Sequence, residues 1–317
     1  MIEINGIYKN FGAKQALRDV SFNVAEGEIM GFLGPNGAGK TTTMNILTGY
    51  LSATAGTARI DGVDVLEKPL VAKSKIGFLP EQPPLYMDMT VKEYLNFVYG
   101  LKNCRLPRAQ HIKEICEVVR IGDVYGRIIK NLSKGYRQRV GIAQALIGNP
   151  KVLIFDEPTV GLDPKQIIEI RNLIKLLGKE HTVILSSHIL SEVQQVCTTI
   201  LILSKGKLVA CDTPENLERL FAGKSTVELT VEAAEKEIPG ILSGVSHIVN
   251  RTARRRQDGA CDVTLELDIP AENEVCREIF FAFSKAGKAI LRMTAGKASL
   301  EDIFMELTDS GKGEETK

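Results

Sequence analysis

Residues 34–42 read Gly-Pro-Asn-Gly-Ala-Gly-Lys-Thr-Thr, and this stretch matches the pattern G-x-x-x-x-G-K-[ST] of a phosphate-binding loop. An apolar run at 29–33 precedes it and a run typical of a helix at 44–47 follows it, which is the strand–loop–helix setting that the motif requires. Glycines let the backbone fold around an anion with N–H groups pointing inward, and the helix start adds its positive dipole end. We expect Lys40 to reach the outer phosphates and Thr41 to ligate magnesium.

Length and composition indicate an ordinary globular protein. The 317 residues are 44% hydrophobic and 25% charged, with a net charge of +1, so no overall field favours nucleic acid. The six cysteines form no C-x-x-C pair and no zinc-like spacing, and the N-terminus lacks the pattern of a signal peptide. We therefore expect free thiols in a reducing cytosol. No stretch is typical of a bilayer span, so a membrane process would need another polypeptide.

Alternating strands and helices predict a largely parallel sheet with helices on its faces. Strands are predicted at 2–7, 20–24, 28–33, 152–155, 182–186, 200–203 and 207–211, with a strand pair at 57–60 and 75–79. The segment 80–148 is predicted to be a helical insertion, because apolar residues recur there at three- and four-residue spacing. Its helices are predicted at 91–101, 109–119 and 134–147, and further helices at 165–177, 189–196 and 214–221.

A second, smaller domain is predicted near the C-terminus. Residues 1–221 form the first domain, and residues 224–309 are predicted to form a small α+β module with strands and one helix. Residues 310–317 are charged, and we expect this tail to be disordered. Arg251 and Arg254-Arg255-Arg256 form a basic cluster, which we interpret as a solvated loop between strands, with contact to anionic lipid headgroups as the alternative.

Two further motifs carry chemistry. Asp156 and Glu157 follow the apolar run 152–155, so a buried strand would deliver them beside the phosphate-binding loop. Asp156 could then hold magnesium and Glu157 could polarise a water in line with an outer phosphate, although an ordinary strand can also end in a solvated acidic turn. Ser133 and Gly135 open a helix and could form a second anion site, or Ser133 could simply cap that helix.

This order of motifs resembles the ATP-binding cassette (ABC) ATPases over about residues 1–220. Gly161-Leu162-Asp163 resembles their D-loop, and Ser186-Ser187-His188 resembles their switch-histidine loop. Phe11 matches the aromatic residue that stacks on adenine, and residues 76–80 resemble the segment that leads into the Q-loop. The resemblance implies an α/β phosphate-loop ATPase core with N-terminal antiparallel strands and a helical subdomain at about 80–148. It also implies ATP as the substrate and Mg²⁺ as the cofactor.

The resemblance assigns roles to individual residues. It makes Glu157 and His188 catalytic, with His188 hydrogen-bonded to the γ-phosphate. Thr41, Asp156 and either Glu81 or Gln82 would hold Mg²⁺, because the usual glutamine position of the Q-loop appears as Glu81, with Gln82 one residue on. The nucleotide would be bound by Phe11, Gly34, Pro35, Asn36, Gly37, Ala38, Gly39, Lys40, Thr41 and Thr42. His111, His181 and His247 have no such context and are interpreted as surface or satisfied histidines.

In the resembling family, the signature segment of one cassette completes the nucleotide site of a second cassette. The chain has one phosphate-binding loop, one signature and no internal repeat, so it is predicted to pair head-to-tail with a second copy or a related subunit. Ser133, Gly135 and Asp163 would then contact ATP in trans. This chain departs from the family signature L-S-G-G-Q, because Lys134 and Tyr136 replace the third and fifth residues of the signature.

The end of the Q-loop region points to transport. The pattern P-E-x-P-x-L-Y-x-x-x-T-V-x-E-Y-L from Pro80, and the segment 299–304, resemble ATPase subunits of ABC-2-type exporters. This implies a cytoplasmic ATPase at the inner face of the cell membrane that powers export through a separate permease, whose helix would bind in a groove lined by residues 83–94. The alternatives are a soluble ABC ATPase that acts on ribosomes or nucleic acid, and a small-molecule kinase. No nucleic-acid partner is expected.

Overall fold

The computed structural model describes residues 1–221, 225–256, 259–269 and 273–296. These residues divide into two compact units, Met1–Thr213 and a second unit that begins at Pro214. The helix at 214–221, which the sequence analysis assigned to the first domain, clusters with the second unit. The predicted disordered tail at 310–317 and the exporter-like segment at 299–304 lie outside the described residues.

An antiparallel sheet opens the first unit. Its order is β2-β1-β4-β5. Alternate side chains of β1 and β2 are buried, because Ile2 pairs with Val24 and Ile4 with Phe22 on the face that packs into the core. The strands are β1 (Ile2–Phe11), β2 (Lys14–Val24), β4 (Ala55–Ile60) and β5 (Val63–Asp64). The sequence predicted β1 and β2 at shorter lengths and did not predict β5.

A six-stranded sheet carries the sequence motifs, in the order β10-β9-β3-β8-β7-β6. All neighbours are parallel except β10, which runs antiparallel to β9. The predicted pair at 57–60 and 75–79 is wrong as a pair, because β4 and β6 lie in different sheets. The strands are β3 (Ile29–Leu33), β6 (Ile76–Leu79), β7 (Val152–Phe155), β8 (Thr182–Ser187), β9 (Thr199–Ser204) and β10 (Lys207–Asp212).

Three of the helices follow the sequence prediction for the segment 80–148. Thr90 caps α3 in a reciprocal capping box with Glu93, which fixes the first turn of that helix. The helices of the first unit are α1 (Lys40–Leu47), α2 (Pro69–Ser74), α3 (Val91–Leu101), α4 (Arg108–Val119), α5 (Lys134–Leu146), α6 (Pro164–Leu177) and α7 (Leu190–Gln194). Helix α2, which has only six residues, was not predicted from the sequence.

His111 on α4 is buried, as a satisfied histidine should be. Its Nε2 accepts a hydrogen bond from the backbone N–H of Gly148 at 3.0 Å. Burial lowers the pKa of His111, and nearby Lys102 lowers it further while Glu114 opposes both. Neutral His111 is therefore the form that the folded state accommodates.

Acidification should weaken the fold through this residue. Histidine in an unfolded chain has a pKa of about 6.5, whereas folded His111 binds its proton only at lower pH. Its contribution is fully present above about pH 6.5 and is lost as the pH falls towards the lowered pKa. The urea midpoint should therefore drop more between about pH 7.5 and 5.5 in the wild type than in His111→Gln, which keeps an acceptor but does not titrate. Equal drops in both proteins would contradict this assignment.

The second unit contains a four-stranded antiparallel sheet in the order β12-β13-β11-β14. Alternate residues of β13 are buried and pack with Ile279 and Phe283 in a separate hydrophobic core. Its elements are α8 (Pro214–Phe221), β11 (Ser225–Val231), α9 (Ile238–Ile241), β12 (Ile248–Arg255), β13 (Cys261–Leu267), α10 (Asn273–Lys285) and β14 (Ile290–Gly296).

The interpretation of the arginine cluster as a loop is wrong for three of its four residues. Arg251, Arg254 and Arg255 do not lie in a loop but on β12, an edge strand among those described. The strand forms because its backbone pairs with β13, with Ala253 opposite Val263, although most of its side chains are exposed. Arg256 follows the strand and lies 3.5 Å from Asp262.

Two further expectations concern cysteines and membranes. All six cysteines are free thiols, as the sequence predicted. Among the helices of the described ranges, none combines the length and the apolar composition that crossing a bilayer requires.

Candidate active site

The phosphate-binding loop joins buried β3 to α1. All five residues of β3 are buried between β8 and β9, so the loop emerges at the carboxyl edge of the sheet. Gly39 immediately precedes α1 with φ 111°, and a Cβ there would lie 2.6 Å from Leu17 Cδ2. Only glycine meets both conditions, so the tight turn that places the N-terminus of α1 depends on this residue.

Lys40 is buried and held by two kinds of oxygen. Its Nζ donates to the carbonyl of Gly34 at 2.6 Å and lies 3.4 Å from Oε1 of Glu157. Both side chains are less than a tenth exposed, so little water screens this ion pair. A phosphate group in the loop would compete with Glu157 for the same ammonium.

The acid pair extends from β7, as the sequence predicted. Asp156 is 2% exposed, and its Oδ1 accepts a hydrogen bond from Ser186 Oγ at 2.5 Å. Ser186 Oγ in turn accepts from the backbone N–H of Glu157 at 2.9 Å. Glu157 has φ 48°, a left-handed conformation that costs a non-glycine residue roughly 1–3 kcal/mol. Such strain at a site suggests a requirement for this carboxylate position.

His188 follows β8 and points at the same carboxylate. Its Nδ1 lies 2.8 Å from Oε2 of Glu157, so the two oxygens of Glu157 contact His188 and Lys40 respectively. Because an ionised carboxylate only accepts hydrogen bonds, Nδ1 carries the proton in this contact. His188 is half-exposed, which leaves it accessible from the cavity that it lines.

A cavity of about 1040 Å³ unites most of the predicted nucleotide residues. Glu81 lines it, whereas Gln82 is not among its lining residues. The predicted residues that line it are Phe11, Pro35, Asn36, Gly37, Gly39, Lys40, Thr41, Thr42, Glu81, Glu157 and His188. Gly34 and Ala38 lie in the same loop but are buried. Asp156 does not line the cavity, but Ser186 Oγ connects its carboxylate to the backbone N–H of Glu157.

Three basic residues at this cavity were not predicted from the sequence. Lys14 and Arg18 come from the hairpin of β1 and β2, and Lys205 comes from the turn between β9 and β10. The hairpin is tied to the loop region because the Arg18 N–H bonds to Gly206 and the Gly206 N–H bonds to Ala38. These basic side chains add positive charge around the phosphate-binding loop. No short-range sequence signal connects these segments, so spacing alone could not have found them.

Phe11 also lies at this cavity, at the end of β1. It is 48% exposed, and Lys9 Nζ lies 5.0 Å from the centre of its ring. An exposed aromatic face beside a phosphate-binding loop offers a surface on which a base can stack. The position therefore fits the role that the resemblance gives to Phe11.

The signature residues do not line this cavity. Ser133 caps α5 by accepting from the Tyr136 N–H at 3.4 Å, and Asp163 caps α6 by accepting from the Gln166 N–H at 3.0 Å. The two segments contact each other, since the amide of Gln166 lies 2.6 Å from where a Cβ of Gly135 would be. The ammonium of Lys134 similarly occupies the place of a Cβ at Gly161.

The oxygen donors near the loop suit a magnesium ion that arrives with a nucleotide. Thr41 offers a hydroxyl and Asp156 a carboxylate, and Mg²⁺ is usually held by one or two carboxylates together with substrate phosphates and waters. Within the described part of the chain, no group of three or more His, Cys, Asp or Glu could hold a metal by itself. The residues therefore fit Mg²⁺ only in combination with phosphate oxygens.

These features define a phosphate-loop nucleoside triphosphatase. Comparison with known proteins then places the chain within that class. The ABC transporter family matches residues 17–160. The uncharacterised ABC transporter ATP-binding protein YhcH of Bacillus subtilis is 34% identical over 99% of this chain and 98% of its own length. The bacitracin transport ATP-binding protein BcrA of Bacillus licheniformis is 32% identical over 98% of both chains. The chain belongs to the ABC transporter family of ATP-binding proteins, and it is an ATPase.

Solved structures agree with this assignment. A dimeric bacterial ABC transporter cassette is 28% identical, with a TM-score of 0.62 over 67% of this chain and 98% of that cassette. The predicted fold class is therefore confirmed for the cassette, and so is the prediction of an ABC transporter ATPase subunit.

Proposed function

We propose that this ATPase powers export through a separate membrane subunit by closing and opening a head-to-tail dimer around two ATP molecules. The observation that carries the proposal is the single cavity in which Lys40, Glu157 and His188 meet beside the phosphate-binding loop. Relatives with named activities support export, since BcrA is a bacitracin transport protein and SrtF of Streptococcus pyogenes, 38% identical over 70% of this chain, is a lantibiotic transport protein.

Three residues of the cavity have proposed tasks in the attack of water on the γ-phosphate. Glu157 orients and polarises the water, while the Nδ1–H of His188 and the ammonium of Lys40 both move from Glu157 to the phosphates. Mg²⁺ would be held by Thr41 and Asp156 and would neutralise charge on the phosphates. We assign the Q-loop role to Glu81 rather than Gln82, because Glu81 lines the cavity.

In this proposal, a second protomer supplies the remaining residues of the nucleotide-binding site. Ser133 and Gly135 do not line the cavity of their own chain, yet Ser133 is exposed at the N-terminus of α5, where an anion is favoured. Their contact with the γ-phosphate of the partner's ATP would join the two protomers, with Asp163 nearby. Hydrolysis would remove that contact and open the dimer, which is a switch driven by differential affinity.

The membrane partner is proposed to bind an aromatic groove beside the helical subdomain at about residues 80–148. A cavity of about 470 Å³ lies there, and it includes Pro84 and Tyr94 from the predicted segment 83–94. Tyr86 packs edge-on against Phe97, with ring centres 5.2 Å apart, and both side chains are substantially exposed. Exposed, rigid aromatic residues beside a groove are typical anchors for a helix of a partner. We therefore propose that the protein works in the cytoplasm at the inner face of the membrane.

Removing the groove aromatics should release the membrane partner. The double variant Tyr86→Ser/Phe97→Ser is expected to reduce recovery of the permease with membrane-purified complex by about tenfold or more, because buried aromatic anchors usually dominate binding energy. The intrinsic ATPase of the isolated subunit should change little. The measurement is co-purification of the protein encoded beside this gene, which should have about six apolar spans if the proposal holds.

A matched control exists on α10. Phe280 and Phe281 are also an exposed pair, with ring centres 5.7 Å apart, so Phe280→Ser/Phe281→Ser removes equivalent apolar surface from the second unit. If this control loses the partner while the groove variant retains it, the groove assignment is wrong. If neither variant, nor the wild type, recovers a membrane protein, the proposed binding of a separate permease subunit is contradicted.

A further inference from the structure

A buried carboxylate lies between the two loops that carry Glu157 and His188. Glu192, on α7, is 7% exposed, and its Oε2 accepts hydrogen bonds from Thr159 Oγ1 at 2.5 Å and from Ser187 Oγ at 3.3 Å. Thr159 comes two residues after Glu157, and Ser187 immediately precedes His188. One oxygen atom therefore connects the loop after β7 to the last residue of β8.

This arrangement is unusual for a structural carboxylate. Among the described residues, no Lys, Arg or His lies within ion-pair distance of Glu192, so hydroxyl groups alone compensate its burial. Thr159 and Ser187 are themselves buried, at 6% and 1% exposure. Hydrogen bonds in a buried position are stronger than those exposed to water, which suits a fixed connection between the loop after β7 and the end of β8.

The connection supports a strained residue. On one side, the backbone N–H of Glu157 is fixed to β8 through Ser186 Oγ. On the other side, the chain turns at once, and Thr159 is the next side chain that bonds to another segment. A left-handed Glu157 persists only where its surroundings hold it on both sides, and Glu192 supplies the second attachment.

We propose that Glu192 is a positioning residue for ATP hydrolysis. It fixes the loop after Glu157 against the end of β8, immediately before His188, and it thereby keeps the Glu157 carboxylate within hydrogen-bond distance of His188. Glu192 does not line the nucleotide cavity and touches no reacting atom by this assignment. The inference rests on the catalytic roles proposed for Glu157 and His188.

Glu192→Ala should lower kcat about ten- to hundredfold at nearly unchanged KM, because small displacements of catalytic groups are costly while the nucleotide contacts remain. Glu192→Gln keeps an oxygen acceptor for Thr159 and should recover most of that loss. Thr159→Val removes the hydroxyl donor at similar volume. If the two residues act as one unit, the double variant Glu192→Ala/Thr159→Val should be no slower than the slower single variant.

Two further measurements distinguish a positioning role from a general structural role: the number of sites that bind nucleotide and the stability of each variant. Each kcat is divided by the number of sites that bind nucleotide, and the urea midpoint is measured in parallel. Ile4→Val in β1 is the control, since it removes one buried methylene far along the sequence from both loops and should keep wild-type kcat per site. Loss of kcat in this control equal to that in Glu192→Ala, or additive effects in the double variant, would overturn the inference.

Two variants in the same assay separate this inference from the proposed function. Glu157→Gln and His188→Ala should both lose turnover if those residues are catalytic. If they lose it and Glu192→Ala does not, only the positioning role fails. If Glu157→Gln and His188→Ala keep wild-type turnover, the proposed mechanism fails whatever Glu192 does.

Discussion

Glu157→Gln is expected to lower the rate of ATP hydrolysis by about 10²-fold or more while ATP binding persists. Glutamine keeps the size of the side chain but cannot accept a proton from the attacking water. It also removes the ion pair with Lys40, which lies 3.4 Å away, so the phosphates no longer compete with a carboxylate for that ammonium. The variant should therefore bind ATP at least as tightly as the wild type and accumulate as an ATP-bound dimer. Single-turnover hydrolysis and size-exclusion chromatography with ATP and magnesium measure both effects.

Glu169→Gln is a suitable control for this experiment. Glu169 lies on α6, bonds to Arg139 and does not line the nucleotide cavity. The control should hydrolyse ATP at nearly the wild-type rate. A Glu157→Gln protein that stays monomeric with ATP, or that hydrolyses it normally, would contradict the role of Glu157 and the nucleotide-driven dimer together.

Lys40→Ala and Ser133→Arg should each abolish turnover as pure proteins, because one damages the phosphate-binding loop and the other blocks the signature. Mixed in equal amounts, they should recover about one quarter of wild-type activity if dimers are two-fold and exchange freely. Half of the dimers would then be mixed, and one of the two sites in each mixed dimer would combine intact Lys40 with intact Ser133. The measurement is phosphate release over a range of mixing ratios.

Recovery in this mixture depends on sites shared between chains. A mixture of Lys40→Ala with Glu157→Gln provides the contrast, since both lesions lie in the same half of the site and no mixed dimer gains an intact one. Recovery in both mixtures, or in neither, would contradict a nucleotide site shared between two protomers.

Much of the cassette could be predicted from local sequence signals. Helix α3 was predicted with its observed bounds because apolar residues recur there at helical spacing; the structure adds the capping box of Thr90 and Glu93 that fixes its start. Strand β7 was also predicted with its observed bounds, since four consecutive apolar residues end at two acids. The phosphate-binding loop required only its own pattern and its flanking elements. In each case the physical cause lies within about ten residues of sequence.

The remaining features depend on contacts between distant segments. The pairing of Lys40 with Glu157 joins residues that are far apart in sequence, and the same is true of Thr159 with Glu192. Strand β12 was mistaken for a loop because its mostly exposed, charged side chains do not show the alternating apolar pattern of a strand. It forms because its backbone pairs with β13. A glutamate four residues after His188 is visible in the sequence, but neither its burial nor its hydrogen-bond partners could be predicted from it.

The position of the arginines on β12 has a consequence for how the protein behaves at high concentration. An uncovered strand edge invites another strand to add to it, which leads to polymers. Two β12 strands that approached each other would bring like charges together from Arg251, Arg254 and Arg255. The cluster is therefore expected to oppose edge-to-edge pairing of β12 strands from different molecules. Variants that neutralise it should precipitate more readily even though their fold is intact.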